Sequence, residues 1–248
     1  MKSLENKVAI ITGGGSGIGR AAALLFAREG ASVVVSDIHE AHGNEVVREI
    51  AGGGGEAFFV RADTSSPQDN EALVQQAVRK YGALDIAVNN AGIAGPLAPT
   101  GEYPVDGWQK VIGVNLSGVF YGMRYQIPAM LEKGGSIVNV ASILGAVGTR
   151  MSPAYVAAKH GVLGLTKAAA LEYANKNVRV NSIGPGYINT PLLSILDEAT
   201  LKAVAALHPI GRLGESDEVA ELILWLASPK SSFVTGSYYA VDGGYLAQ

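Results

Sequence analysis

The sequence predicts an α/β fold: a single-domain, doubly wound Rossmann fold with a seven-stranded, mostly parallel sheet and helices on both faces, spanning 1–248. Three observations predict it. Apolar, β-branched runs alternate with helical patterns along the whole chain. Most of those runs are continuous rather than alternating in hydrophobicity, as strands buried on both faces are. The joints between them are short, with no linker, composition shift or internal repeat. At 248 residues and 48% hydrophobic, the chain can bury a sizeable core.

The strands read as Val8–Ile11, Ser32–Ser36, Ala57–Val60, Leu84–Asn89, Ser136–Val140, Val178–Ile183 and Tyr238–Val241. Helical patterns fall at Ile18–Arg28, Gln68–Tyr81, Pro153–Ala174 and Asp217–Ala227. Gly52–Gly55 forms a flexible turn after the second helix. A helical stretch around 104–132 carries Asn115, Arg124 and Gln126, too polar for a membrane span. Ser152-Pro153 marks a helix start, serine at the N-cap and proline at the first helical position. One segment breaks the rhythm, an apolar insertion at about 187–211.

Composition excludes several functions. Net charge is −3 with no basic run, so neither nucleic acid nor an anionic membrane has an electrostatic footprint. The absence of cysteine removes disulfides, thiol nucleophiles and thiolate zinc sites, and is compatible with a cytoplasmic location. No signal peptide is expected, because the chain enters a strand-like run almost at once. His39, His42, His160 and His208 are scattered without ligand spacing, so no catalytic metal is indicated.

The chemistry-bearing residues cluster where strands end. Thr12-Gly13-Gly14-Gly15-Ser16-Gly17-Ile18-Gly19 follows the first strand. A turn free of side chains at Gly13, Gly17 and Gly19 lets the backbone of Gly13 through Gly19, Ser16 and Ile18 included, approach a pyrophosphate at a helix N-terminus. Asp37 lies eighteen residues past Gly19, at the end of the second strand. A carboxylate there accepts hydrogen bonds from an adenosine ribose and repels a 2′-phosphate, which predicts NAD(H) over NADP(H). Asp63-Thr64 ends the third strand, with Asp63 placed either against adenine or as a helix cap. Asn90, Ala91 and Gly92 end the fourth and line the cofactor site, while Asn89 satisfies buried backbone groups between strands. Tyr155 and Lys159 are four residues apart, hence on one helix face, and Ser142 precedes the tyrosine by thirteen. An ammonium beside a phenol of pKa about 10 favours the phenolate.

Taken together, Thr12-Gly13-x-x-x-Gly17-x-Gly19, Asn89-Asn90-Ala91-Gly92, Asn115 in Val-Asn-Leu, Ser142, Tyr155-x-x-x-Lys159 and Pro185-Gly186 with Thr190 resemble the short-chain dehydrogenase/reductase family across the whole chain. The resemblance implies that Tyr155 exchanges a proton with the substrate oxygen and that Lys159 lowers its pKa and holds the nicotinamide ribose. It implies that Ser142 donates to the substrate oxygen, that Asn115 holds a water leading from Lys159 to solvent, and that Thr190 and the Ile188 backbone contact the nicotinamide carboxamide. It also implies a homotetramer, joined through 104–132, 152–174 and the C-terminal region.

The substrate is read as a small hydrophobic secondary alcohol or its ketone. Leu192, Leu193, Ile195, Leu196, Leu201, Val204 and Leu207 form either an ordinary amphipathic helix on the core or an apolar lid. Ile93, Ala94, Pro96, Ile143, Leu144, Val147 and Met151 would supply the opposing wall, and 187–201 carries no Arg or Lys for an anion. Pro185–Leu192 and the tail Val241–Gln248 look like bacterial secondary alcohol dehydrogenases that use NADP(H), from which Asp37 departs. In that group a Gln-bearing tail helps bind structural magnesium, so Gln248 either does likewise or belongs to a frayed end. A 3-oxoacyl-carrier-protein reductase and a catalytically silent dinucleotide binder are the alternatives. From Asp37, kcat/KM is expected to be higher with NAD(H); a preference of about tenfold for NADP(H) would contradict the assignment.

Overall fold

The computed structural model describes residues 2–193 and 196–248. Strand β1 (Val8–Thr12) leads into α1 (Gly17–Arg28), followed by β2 (Ser32–Asp37), α2 (Glu40–Gly52), β3 (Glu56–Arg61), α3 (Pro67–Tyr81) and β4 (Ile86–Asn89). The second half runs α4 (Val105–Ile112), α5 (Gly118–Met130), β5 (Gly135–Val140), α6 (Pro153–Tyr173), β6 (Val178–Pro185), α7 (Glu198–Ala206), α8 (Ser216–Ala227) and β7 (Tyr238–Val241). Every expected strand forms, within two residues at either end.

The seven strands make one sheet in the order β3-β2-β1-β4-β5-β6-β7. All neighbouring pairs are parallel, so the mostly parallel sheet expected from the sequence is a wholly parallel one. Alternate residues of a strand face opposite ways. Ala9, Ile11, Val33 and Val35 therefore pack with Phe26, Ile50 and Ile223 of α1, α2 and α8. Ile10 and Val34 face the other way, toward Leu73, Met123 and Val162 of α3, α5 and α6. The chain order reverses direction across the sheet between β1 and β4, and a crevice opens there at the carboxyl ends of the strands. No helix among the described residues is long and apolar enough to cross a membrane.

Four local expectations need correction. The stretch 104–132 is not one α-helix: a π-helical turn, Gly113–Ser117, separates α4 from α5, with Gly118 N–H bonded to the Gly113 carbonyl. Ser152 stands at the N-cap of α6 with Pro153 behind it, but its hydroxyl makes no capping hydrogen bond. Asn89 serves side chains rather than backbone. Its amide donates to Gln126 Oε1 (3.1 Å) and Asn139 Oδ1 (2.9 Å), and Asn139 donates in turn to Thr166 Oγ1 (3.0 Å). The insertion at 187–211 contains a 3₁₀ turn, Pro191–Leu193, and α7; Ile195 lies outside the described residues.

The Asn89–Gln126–Asn139–Thr166 chain is wholly buried and stitches α5, β4, β5 and α6 together. Buried amides gain little net but cost heavily when orphaned. Asn139→Ala should lower the unfolding free energy by about 2–3 kcal/mol in urea titrations. A loss under about 0.5 kcal/mol would show that the chain contributes nothing to stability.

Candidate active site

The glycine turn is shaped by conformation and by proximity. Gly13 and Gly17 have φ of +62° and +51°, the left-handed region that side chains resist. A Cβ at Gly19 would lie 2.2 Å from the Gly13 carbonyl oxygen, so α1 can start against the turn only without one. Ser16, exposed at the N-cap of α1, leaves its hydroxyl uncommitted to the first-turn N–H groups of Gly17, Ile18 and Gly19. Thr190 abuts Gly17 from the far side, where a Cβ would meet its Cγ2 at 3.1 Å. A bare backbone at a helix N-terminus fits the pyrophosphate of a dinucleotide.

Asp37 ends β2 beside this turn. Its Oδ2 accepts the Gly15 N–H (3.0 Å) and its Oδ1 accepts the His39 N–H (2.9 Å), so the carboxylate also anchors the phosphate turn. Asp63 closes its own turn by accepting from Ser65 N and Oγ (2.8 and 2.7 Å). The cap of α3 is Ser66, which accepts from Asp69 N–H, so the capping alternative for Asp63 is ruled out. Thr64 is buried, its carbonyl accepting from Asn70, and its side chain abuts Gly118. Asn90 donates to the Thr12 and Gly13 carbonyls (2.9 and 3.3 Å), tying the end of β4 to the glycine turn. The Thr12 hydroxyl accepts from Asn90 and Ala91 N–H and donates to the Val88 carbonyl, a junction that joins the two motifs.

On the other side of the crevice, α6 presents Tyr155 and Lys159 toward the ends of β4 and β5. Lys159 is buried, and Nζ donates to the Val140 carbonyl at 2.8 Å. It sits 5.5 Å from the centre of the Tyr155 ring. Gly92 is the meeting point: a Cβ there would lie 3.4 Å from Asn115 Oδ1 and 3.7 Å from Lys159 Nζ. Asn115 is fully buried in the π turn and pairs twice with Ile93, accepting its N–H and donating to its carbonyl, both at 2.8 Å. Ser142 Oγ accepts the Leu144 N–H (3.1 Å) in the turn after β5.

The titration of this set corrects one expectation. Burial pushes the Tyr155 phenol above its ordinary value, with the Ser142 side chain pulling down and Tyr187 adding to the rise. Burial also pushes the Lys159 amine down, to about 8. Desolvation thus governs the phenol, with the Ser142 hydrogen bond opposing it.

Pro185 ends β6 and Gly186 follows it. Ile188, buried, bridges Gly214, and Thr190 Oγ1 donates to the Ile188 carbonyl (3.2 Å). His208, one of the scattered histidines, is buried and accepts the Tyr187 N–H on Nε2 (3.1 Å), while the rings of Tyr187, His208 and Tyr245 form an aromatic cluster. No motif marked His208; its only signal was a lone polar ring within an apolar segment. His160 lies exposed on α6, along a cavity of about 630 Å³ with Arg150 and Met151. Ile143 and Leu144 are covered by protein, which leaves Val147 and Met151 as the exposed members of their side of the proposed wall. No residue of α7 is fully buried, but Leu201, Val204 and Ala205 are half-buried on one face, so both the amphipathic-helix and the lid readings stand. Gln248 donates to the Leu207 carbonyl at 3.0 Å.

Comparison with known proteins matches residues 13–246 to a family model described as enoyl-(acyl carrier protein) reductase. The chain is 54% identical to cyclohexanol dehydrogenase of Acinetobacter sp. (strain SE19), covering 98% of this chain and 96% of that one. It is 45% identical to cis-4-hydroxycyclohexanecarboxylate dehydrogenase of Sinomonas cyclohexanicum, covering 99% of each. A 3-oxoacyl-[acyl-carrier-protein] reductase of Thermotoga maritima is 42% identical over 97% of this chain and 98% of its own. Among solved structures, a short-chain type dehydrogenase/reductase from Mycobacterium marinum superposes with a TM-score of 0.95 at 37% identity, covering 99% and 98% of the two chains.

The buried amine gives a stability test. Its folded pKa of about 8 lies below its unfolded value, so between about pH 8 and 10.5 the unfolded chain binds more protons and stability rises with pH. Relative to Lys159→Met, which lacks the group, the wild type should gain up to about 3 kcal/mol of unfolding free energy between pH 7.5 and 10.5. Parallel urea curves for the two proteins across that range would place the amine in water instead.

Proposed function

The chain belongs to the short-chain dehydrogenase/reductase family, and from that premise we propose that it is an NAD(H)-dependent dehydrogenase interconverting a hydrophobic, cyclic secondary alcohol and its ketone. The observation that carries the reading is the convergence of Asn115, Ser142, Tyr155 and Lys159 around Gly92 and the ends of β4 and β5. A mere dinucleotide binder has no use for a phenol and a buried amine held together. Cyclohexanol dehydrogenase at 54% identity supports a ring-bearing alcohol. So do the exposed apolar side chains of Val147, Met151, Leu192 and Leu207, and the lack of Arg or Lys in 187–201. The 3-oxoacyl-carrier-protein reductase is the second reading, favoured by the Thermotoga relative.

In this reading the N-terminus of α1, with Gly13, Ser16, Gly17, Ile18 and Gly19, holds the pyrophosphate, and Asp37 the adenosine ribose. Asp63, Thr64, Asn90, Ala91 and Gly92 line the adenosine and ribose side. Lys159 holds the second ribose, while Pro185, Gly186, Ile188 and Thr190 bracket the nicotinamide. The bound dinucleotide supplies hydride chemistry; the protein supplies placement and proton control. Ser142 donates a hydrogen bond to the substrate oxygen, a fixed dipole aimed where alkoxide charge develops. Tyr155 exchanges the proton with that oxygen. The phenol is protonated at neutral pH because burial raises its pKa, a state suited to donating to a ketone. Oxidation needs the proton removed, and a charged Lys159 beside the ring aids that step. The exposed apolar side chains of Phe120 on α5 and Leu171 on α6 support self-association through these helices, as in a homotetramer.

Absorbance at 340 nm with NAD and a panel of cyclic secondary alcohols, ketones and acyl thioesters tests the reading. Cyclohexanol-like substrates should give the highest kcat/KM; activity confined to acyl thioesters would favour the second reading. Because the phenol titrates above its ordinary value of about 10, oxidation should quicken and reduction slow only as pH rises beyond about 10. Tyr155→Phe should cut kcat by roughly 10³-fold or more while NADH binding, followed by fluorescence, is nearly unchanged. A variant that keeps its activity would remove Tyr155 from the mechanism.

A further inference from the structure

Strand β7 is an edge strand, and β6 lies between it and β5, with Ser142 in the turn that follows β5. Tyr238 pairs with Ser182 of β6, and Gly184, two residues on, shares the face of Ser182. The Tyr238 ring crosses β6 directly over that glycine. A Cβ on Gly184 would lie 1.9 Å from the phenol oxygen, 2.3 Å from Cζ and 2.5 Å from Cε2. Gly184 is not among the glycines with positive φ, so its backbone could accept any residue. Its lack of a side chain serves the passage of the ring.

Beyond Gly184 the phenol reaches the backbone of Ser142 and donates to its carbonyl at 3.1 Å. The same carbonyl accepts the Gly145 N–H at 2.9 Å, and Ser142 Oγ accepts the Leu144 N–H. The backbone at Ser142 is thus tied into its own turn and, through one hydrogen bond, to an edge strand 96 residues away. Burial, with Asp242 adding, pushes the Tyr238 phenol up to about 12, so it remains a donor throughout the working range of the protein.

We infer that Tyr238 is a positioning residue for Ser142: by crossing Gly184 and donating to the Ser142 carbonyl, it fixes the backbone that aims the serine hydroxyl at the substrate oxygen. The inference deepens the proposed function and rests on it for the role of Ser142. The anchoring itself is a property of the fold.

Tyr238→Phe removes one oxygen and leaves the ring in place. Hydrogen exchange of the 142–147 segment, followed by mass spectrometry on the full-length protein, should become several-fold faster in this variant. With a cyclic alcohol, kcat should fall roughly tenfold while KM for alcohol and for NAD stays within about twofold. Unchanged exchange would overturn the anchor; faster exchange with unchanged kcat would overturn the positioning role. Gly184→Ala should lower Tm, and adding Tyr238→Val should restore Tm but leave kcat near the Tyr238→Phe level. Full recovery of kcat in that double variant would also overturn the positioning role, since space rather than the hydrogen bond would then be what Ser142 needs. A wild-type enzyme inactive on alcohols and ketones would refute the proposed function alone, because the exchange comparison still decides whether Tyr238 holds Ser142.

Discussion

An ammonium group held out of water at the end of β5 is the constraint around which the rest is arranged. Burying a lone charge is costly unless polar groups compensate, and Lys159 has the Val140 carbonyl and the edge of the Tyr155 site for company. The neighbourhood is built to admit it. Gly92 keeps the approach open, and the π turn carries Asn115 to the same place by pairing its side chain with Ile93. Groups that cost stability and sit in a cleft point to chemistry rather than architecture. Here the cleft is where a doubly wound sheet collects its loops.

Much of this is readable from residue order, and the reasons are specific. The strands announce themselves because both faces of a parallel sheet are covered, which leaves unbroken runs such as Val33–Val35. The site residues can be placed because every strand points the same way, so the loops leaving the strands gather at one end. The π turn escapes because local periodicity does not register it, nor the bonds that Asn115 makes from it to Ile93, 22 residues away. Ser152 misleads for a similar reason: a good capping residue type guarantees a position, not a bond. Asn89 defies assignment because its partners, Gln126 and Asn139, come from elements far apart in the chain.

The titration of Tyr155 shows the same limit in energetic form. Four residues of spacing say that a phenol and an amine are neighbours; they do not say how dry the neighbourhood is. Burial moves both groups toward their neutral forms, the tyrosine upward and the lysine to about 8. The substrate side is built differently. The cofactor half rests on a sheet and backbone hydrogen bonds, whereas α7 leaves no residue fully buried. A stiff half suits a constant cofactor, and a loosely packed half suits apolar ligands of varied shape.

Asp37 carries a consequence for anyone who would change the nucleotide this fold accepts. Its two oxygens each hold a backbone amide, one in the glycine turn and one at the approach to α2. Exchanging the acid for a neutral or basic residue would therefore discard two struts along with a charge. Redesign toward a phosphorylated ribose has to furnish replacement acceptors for Gly15 and His39, or the cradle slackens for either coenzyme.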